Sequence, residues 1–84
     1  MKNVVKYGIV TEKASLLIDK ENSLQFAVDI RATKKEIKRD IEDTFEVKVR
    51  SIRTLITPDG EKRAIVTLEE GYSAEEVLTR LGVF

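Results

Sequence analysis

Four cations, Lys34, Lys35, Lys38 and Arg39, fall close together, and four carboxylates, Asp40, Glu42, Asp43 and Glu46, follow them directly. On a helix this is the unfavourable order. The cations meet the positive end of the backbone dipole and the acids its negative end, each misplaced end charge costing about 0.3–1 kcal/mol at low salt. A use for the cations outside the helix accounts for that order, and phosphate is the anion such a cluster suits. The bland alternative is a solvated face on which Lys38 pairs with Glu42 and Arg39 with Asp43 at i,i+4. Arg31 and Lys13 extend the same cationic surface if the fold brings them together. Lys48, Arg50 and Arg53, then Lys62 and Arg63, set further cations along two extended segments, where long cations also blunt strand edges.

Other chemistries lack their residues. The 84 residues contain no histidine and no cysteine, which removes the side chain that titrates near neutrality, the commonest transition-metal ligand, the thiolate nucleophile and the disulfide. No glycine-rich phosphate loop is present either. The sequence therefore predicts a non-enzyme with no cofactor, no metal and no small-molecule substrate. Base stacking on an open sheet would need displayed aromatics, but Phe26 is in phase with Leu24 and Val28 as a core residue, and Phe45 and Phe84 occupy apolar positions. Tyr7 and Tyr72 are isolated. Leu16 points away from the apolar stripe of its helix and is a candidate partner contact.

Fifteen basic and fifteen acidic residues cancel, yet they are unevenly spread. Residues 1–63 carry net +3, whereas residues 64–84 carry Arg80 against Glu69, Glu70, Glu75 and Glu76, net −3. Hydrophobic residues at 42% and charged residues at 36% fit a folded chain, and its length suits one domain spanning residues 1–84. The first ten residues hold too short an apolar run for a signal peptide, and no stretch approaches a membrane span. A cytoplasmic location is expected.

The elements that must position these residues read as follows. Val4 and Val5 suggest an edge strand, and Thr11 caps a helix through about Lys20 with Ala14, Leu17 and Ile18 inward. Leu24, Phe26, Val28 and Ile30 alternate with Gln25, Ala27 and Asp29, predicting a half-buried strand. Thr33 and Glu36 form a capping box for a helix with Ile37, Ile41 and Phe45 inward. Val47 to Thr57 is rich in β-branched residues, with a parity change near Arg50 that predicts a bulge. Pro58-Asp59-Gly60 turns the chain into a returning strand, Lys62 to Leu68. Ser73 and Glu76 open a last helix with Val77, Leu78 and Leu81 inward and Gly82 as its stop. The order β-α-β-α-β-β-α predicts an α+β fold, with an antiparallel or mixed sheet of about four strands and helices mainly on one face.

Several of these segments together resemble one family. Val10-Thr11-Glu12-Lys13-Ala14, Val28-Asp29, Ala32-Thr33-Lys34 with Ile37-Lys38, Phe45 with Val47-Lys48-Val49, and Thr54 to Lys62 through Pro58-Asp59-Gly60 are similar to the L twenty-three family of large-subunit ribosomal proteins. The short Pro58-Asp59-Gly60 hairpin and the lack of a basic N-terminal extension resemble its archaeal type. The resemblance implies binding to large-subunit ribosomal RNA near the polypeptide exit tunnel, a ribosome-bound location, a neighbouring protein of the L twenty-nine family, and a docking platform for exit-site factors such as the signal recognition particle. It also implies that Arg31, Thr33, Lys34 and Lys38 contact RNA, with Lys13, Arg53, Thr54 and Lys62 as further candidates, and that Glu12 faces a docking partner. Gly8 stands where the family commonly has proline. Arg53 replaces its usual asparagine, which suits a phosphate contact better than a base-specific one. A rival reading is a free-standing protein-interaction module, which predicts scattered cations and an apolar patch; the RNA reading predicts that Lys13, Arg31, Lys34, Lys38 and Arg53 share one surface.

Overall fold

The computed structural model describes residues 4–9 and 11–80. Strand β1 (Val5–Gly8) leads to helix α1 (Glu12–Glu21), then β2 (Ser23–Val28), α2 (Lys34–Phe45), β3 (Val49–Ile56), β4 (Lys62–Leu68) and α3 (Ala74–Arg80). The sheet is antiparallel throughout, in the order β1-β2-β4-β3. The α+β order read from the sequence is the one observed. Leu81, Gly82 and Phe84, assigned to the end of the last helix and beyond, lie outside the described residues.

Register explains which residues are buried. Leu24, Phe26 and Val28 of β2 align with Val66, Ala64 and Lys62 of β4, and Ile52 of β3 aligns with Val66. On this face Ile37, Ile41 and Phe45 of α2 and Val77 and Leu78 of α3 complete one apolar cluster that begins at Val4. Phe26 and Phe45 stack with centroids 6.0 Å apart. Helix α1 lies on the other side: Ala14 and Ala27 are buried outside that cluster, and Glu21 reaches Arg53, whose alignment with Ile65 turns it away from the core. Two helices thus cover one face and one helix part of the other.

Two expectations for β2 are corrected. Ile30 is 53% exposed, because the strand ends at Val28 and Asp29 starts a turn, its Oδ1 accepting from Arg31 N at 2.8 Å and its carbonyl from Ala32 N at 2.9 Å. Ala27, taken as part of the polar face, is fully buried. Elsewhere local chemistry acts as read. Thr11 Oγ1 accepts from Ala14 N at 3.1 Å, and the Thr33–Glu36 capping box is complete. The β3–β4 register shifts between Val49 and Ser51, which is the bulge at Arg50. Gly60 has φ 84°, the left-handed conformation that a tight hairpin needs and glycine adopts at little cost. Of the second capping box only the Ser73 arm forms, Glu76 N donating to Ser73 Oγ at 3.4 Å.

Candidate nucleic-acid interface

The turn that ends β2 delivers the chain to the N-terminus of α2, so that Arg31 and the cap Thr33 precede Lys34 and Lys38 on its first two turns. Arg31 is 75% exposed at its side chain and held to Asp29, with Nε 3.3 Å from Oδ1. That pairing lowers the Asp29 pKa and raises that of Arg31. Thr33 is fixed by its cap: its N–H donates to Glu36 Oε1 at 3.0 Å and its Oγ1 accepts from Glu36 N at 3.2 Å. The Thr33 N–H is the first cause holding the Glu36 carboxyl below its ordinary range. Lys34 and Lys38 are exposed, and so are Lys35 and Arg39 on the same turns. Lys35 and Arg39 were absent from the candidates carried over by resemblance, although i,i+4 spacing from Lys34 and Lys35 pairs all four on adjacent rows.

The solvated-face alternative required Lys38–Glu42 and Arg39–Asp43 pairs. Neither forms: the ion pairs among the described residues are Arg31–Asp29, Arg53–Glu21 and Arg63–Glu61. The acids of α2 act elsewhere. Asp40 Oδ2 accepts from Val5 N at 3.0 Å on β1, and Glu42 Oε2 accepts from Val49 N at 2.9 Å at the start of β3. Backbone N–H groups left outside a ladder are costly when buried, so these carboxylates close both flanks of the sheet against α2. The unfavourable charge order therefore has an internal cause for two of its four acids, Asp40 and Glu42, while Lys34, Lys35, Lys38 and Arg39 make no ion pair among the described residues.

The remaining candidates do not join that cluster as one face. Lys62 comes near, and its Nζ donates to the Ala32 carbonyl at 2.7 Å, bracing the turn beside Arg31. Arg53 stands on the opposite side of the sheet, 3.8 Å from Glu21 in a largely solvent-exposed pair. Lys13 is exposed on α1, in the layer on that same side. Thr54 lies on β3, the sheet's margin, aligned with Ala64. The expectation of a single surface for Lys13, Arg31, Lys34, Lys38 and Arg53 is thus corrected: the sheet separates an α2 cluster from an α1–β3 group, because β3 carries Arg53 on the side away from α2. Glu12 and Leu16 are exposed on α1, Leu16 by 51%. Tyr7 is also exposed, and its hydroxyl donates to Glu61 at 2.6 Å; that bond raises the Tyr7 pKa and lowers that of Glu61. No group of three or more acidic residues among the described residues is placed to hold a metal ion.

A cationic helix start on an α+β scaffold agrees with the comparison to known proteins. The model of the family described as ribosomal protein L23 matches residues 3–76. This chain belongs to the ribosomal protein L23 family. The large ribosomal subunit protein uL23 of Methanococcus aeolicus is 42% identical over 82 residues, which cover 98% of this chain and 95% of that protein. The L23 family is one of structural ribosomal proteins, so the chain is not an enzyme, as the sequence predicted. The archaeal relative accords with the short Pro58-Asp59-Gly60 hairpin, a turn that Thr57 and Glu61 close directly.

Proposed function

We propose that this L23-family chain is a structural constituent of the large ribosomal subunit that binds large-subunit ribosomal RNA beside the polypeptide exit tunnel. The observation that carries this reading is the α2 start, where Lys34, Lys35, Lys38 and Arg39 are exposed and make no ion pair among the described residues. Cations without intramolecular partners neutralise phosphates at no cost in broken salt bridges. Arg31 and Thr33 frame that cluster and Lys62 braces it, while Lys13 and Arg53 supply a second group of contacts across the sheet and Thr54 a contact at the β3 margin. RNA strands on two sides of a body measuring 30 × 26 × 22 Å accommodate both groups. Glu12 and Leu16 then face a docking partner such as the signal recognition particle, the L twenty-nine protein is a neighbour, and the location is cytoplasmic and ribosome-bound. The whole chain acts as one domain, without a cofactor.

The test is binding of the full chain to a large-subunit ribosomal RNA fragment from the exit-tunnel region across a salt series, against Lys34→Glu/Lys38→Glu. Removing two phosphate contacts is expected to flatten the salt dependence by about 1.5–2 in log–log slope and to weaken binding at low salt. Wild-type binding no tighter than to unrelated RNA overturns the ribosomal RNA reading. Equal binding by a folded double mutant overturns the α2 assignment. The protein-interaction alternative has two observations in its favour, the exposure of Ile30, Leu55 and Ile56 and the separation of Lys13 and Arg53 from the α2 cations by the sheet.

A further inference from the structure

The sheet has two margins, and an α2 carboxylate takes one N–H at each, Asp40 that of Val5 on β1 and Glu42 that of Val49 at the start of β3. At β3 the direction of the backbone groups follows from the hairpin. Thr57 N donates to Glu61 O at 2.8 Å, and hydrogen-bonded and non-hydrogen-bonded pairs alternate along an antiparallel ladder. Leu55–Arg63, Arg53–Ile65 and Ser51–Thr67 are therefore the bonded pairs of the observed register. The other side of β4 has the complementary phase, Leu68 N donating to Asn22 O at 3.2 Å. Ile52, Thr54 and Ile56 consequently direct their N–H and C=O groups away from β4, at the end of the strand order. Beside them Leu55 is 44% exposed and Ile56 62% exposed.

We infer that the outer edge of β3 is a strand-addition surface, occupied in the free protein by a second copy of the chain, antiparallel about a twofold axis at Thr54. In that register Thr54 meets the partner's Thr54, and Ile52 meets the partner's Ile56 on the core side of the sheet. On the other side Arg53 lies across from the partner's Leu55. Each of the two exposed apolar residues of the edge gains a neighbour, and no like charges stand directly opposite. Adjacent registers are worse. One slip sets Arg53 directly across from the partner's Arg53; the other brings the partner's Pro58, which has no N–H to donate, from opposite Arg50, at the bulge where regular pairing ends, to opposite Ile52 within the strand. The sequence thus selects one pairing, which an interface of irregular surface would not require. This dimer is argued independently of the RNA reading, although Arg53 and Thr54 are common to both surfaces.

The test is sedimentation of the full chain over about 10 µM to 1 mM, since a single added edge implies a weak dimer with Kd on the order of 100 µM. Thr54→Pro removes an N–H that β4 does not use, and Pro is tolerated at a strand edge. It is expected to abolish the dimer with circular dichroism unchanged, and Ile56→Lys to weaken it about tenfold or more. A second measurement needs no variant. Amide exchange in the wild type is expected to slow with concentration at Ile52, Thr54 and Ile56 and to stay constant at Gly8. A monomer throughout the range overturns the proposal, as does a dimer of equal strength in either folded variant. Protection of those amides by an added ribosomal RNA fragment but not by concentration makes RNA the occupant of the edge and equally overturns it.

Discussion

Glu42 and Asp43 are adjacent acids in the last turn of α2, where the helix dipole disfavours both, so their replacement separates dipole from hydrogen bond. Asp43→Ala removes only an exposed adverse charge. Relief of the dipole contributes about 0.3–1 kcal/mol and the better helix propensity of alanine a further few tenths, roughly 0.5–1.5 kcal/mol of stabilisation in total. Glu42→Ala gains the same kinds of relief but strips Val49 N of its 2.9 Å acceptor. Val49 is 4% exposed, and a buried donor left unsatisfied costs about 1–3 kcal/mol. The net expectation is destabilisation by about 1 kcal/mol, hence a spread of about 2 kcal/mol between neighbouring variants and opposite signs. Urea unfolding followed at the helical dichroism band measures both, and in thermal unfolding the spread corresponds to about 8–16 °C for a chain of this size. Stabilisation by both substitutions refutes the reasoning, because it means that the dipole alone governs these acids and Val49 N finds another partner.

Asn22→Ala is expected to cost about 2–3 kcal/mol in urea unfolding, because Asn22 sits at φ 53°, donates to the Tyr72 carbonyl at 2.7 Å and accepts from Ala74 N at 2.8 Å. Asn22→Gly tolerates the backbone and loses only the bridge, about half that cost; a glycine variant as stable as wild type shows that the bridge contributes nothing. The Glu36 carboxyl is held below its ordinary range, first by the Thr33 N–H, so its contribution is present above the unfolded pKa and disappears as pH falls through the lower folded value. Unfolding free energies at pH 7 and in the acid range are therefore expected to differ more for wild type than for Glu36→Gln. Equal differences would exclude the capping box as a source of acid sensitivity.

Local chemistry was legible where one side chain decides the outcome. Thr11, Thr33 and Gly60 act on backbone groups within four residues, and the spacing of Ile37, Ile41 and Phe45 needs only a 3.6-residue period to define a buried stripe. The misreadings lie where two distant segments meet. Ala27 looked like the polar side of β2 because nothing local reveals that α1 covers it. Ile30 continued the apolar alternation, but Asp29 bonding to Arg31 N ended the strand first. Asn22 carried a weak signal as the residue after a helix, a position where asparagine tolerates the left-handed region; its bridge to the start of α3 spans about fifty residues and is invisible locally. The single cationic face failed for a geometric reason. Successive residues of a strand project to opposite sides, and only the register of β3 against β4 tells which side receives Arg53.

Formal neutrality is a poor measure of what this surface presents. Of the carboxylates that balance the α2 cations, Asp40 and Glu42 accept backbone N–H groups of β1 and β3, and Glu36 is engaged in its cap. On the basic side Arg80 reaches inward, Nη1 donating to the Phe45 carbonyl at 2.6 Å, where it satisfies one of the acceptors left over at the end of α2. Several acids are thus tied to backbone while Lys34, Lys35, Lys38 and Arg39 remain exposed at one end of a helix. Screening over about 8–10 Å at physiological salt makes a phosphate respond to that local cluster more than to the total charge of the chain. A chain of zero net charge can therefore present a phosphate-binding surface, because part of its anionic half holds the fold together.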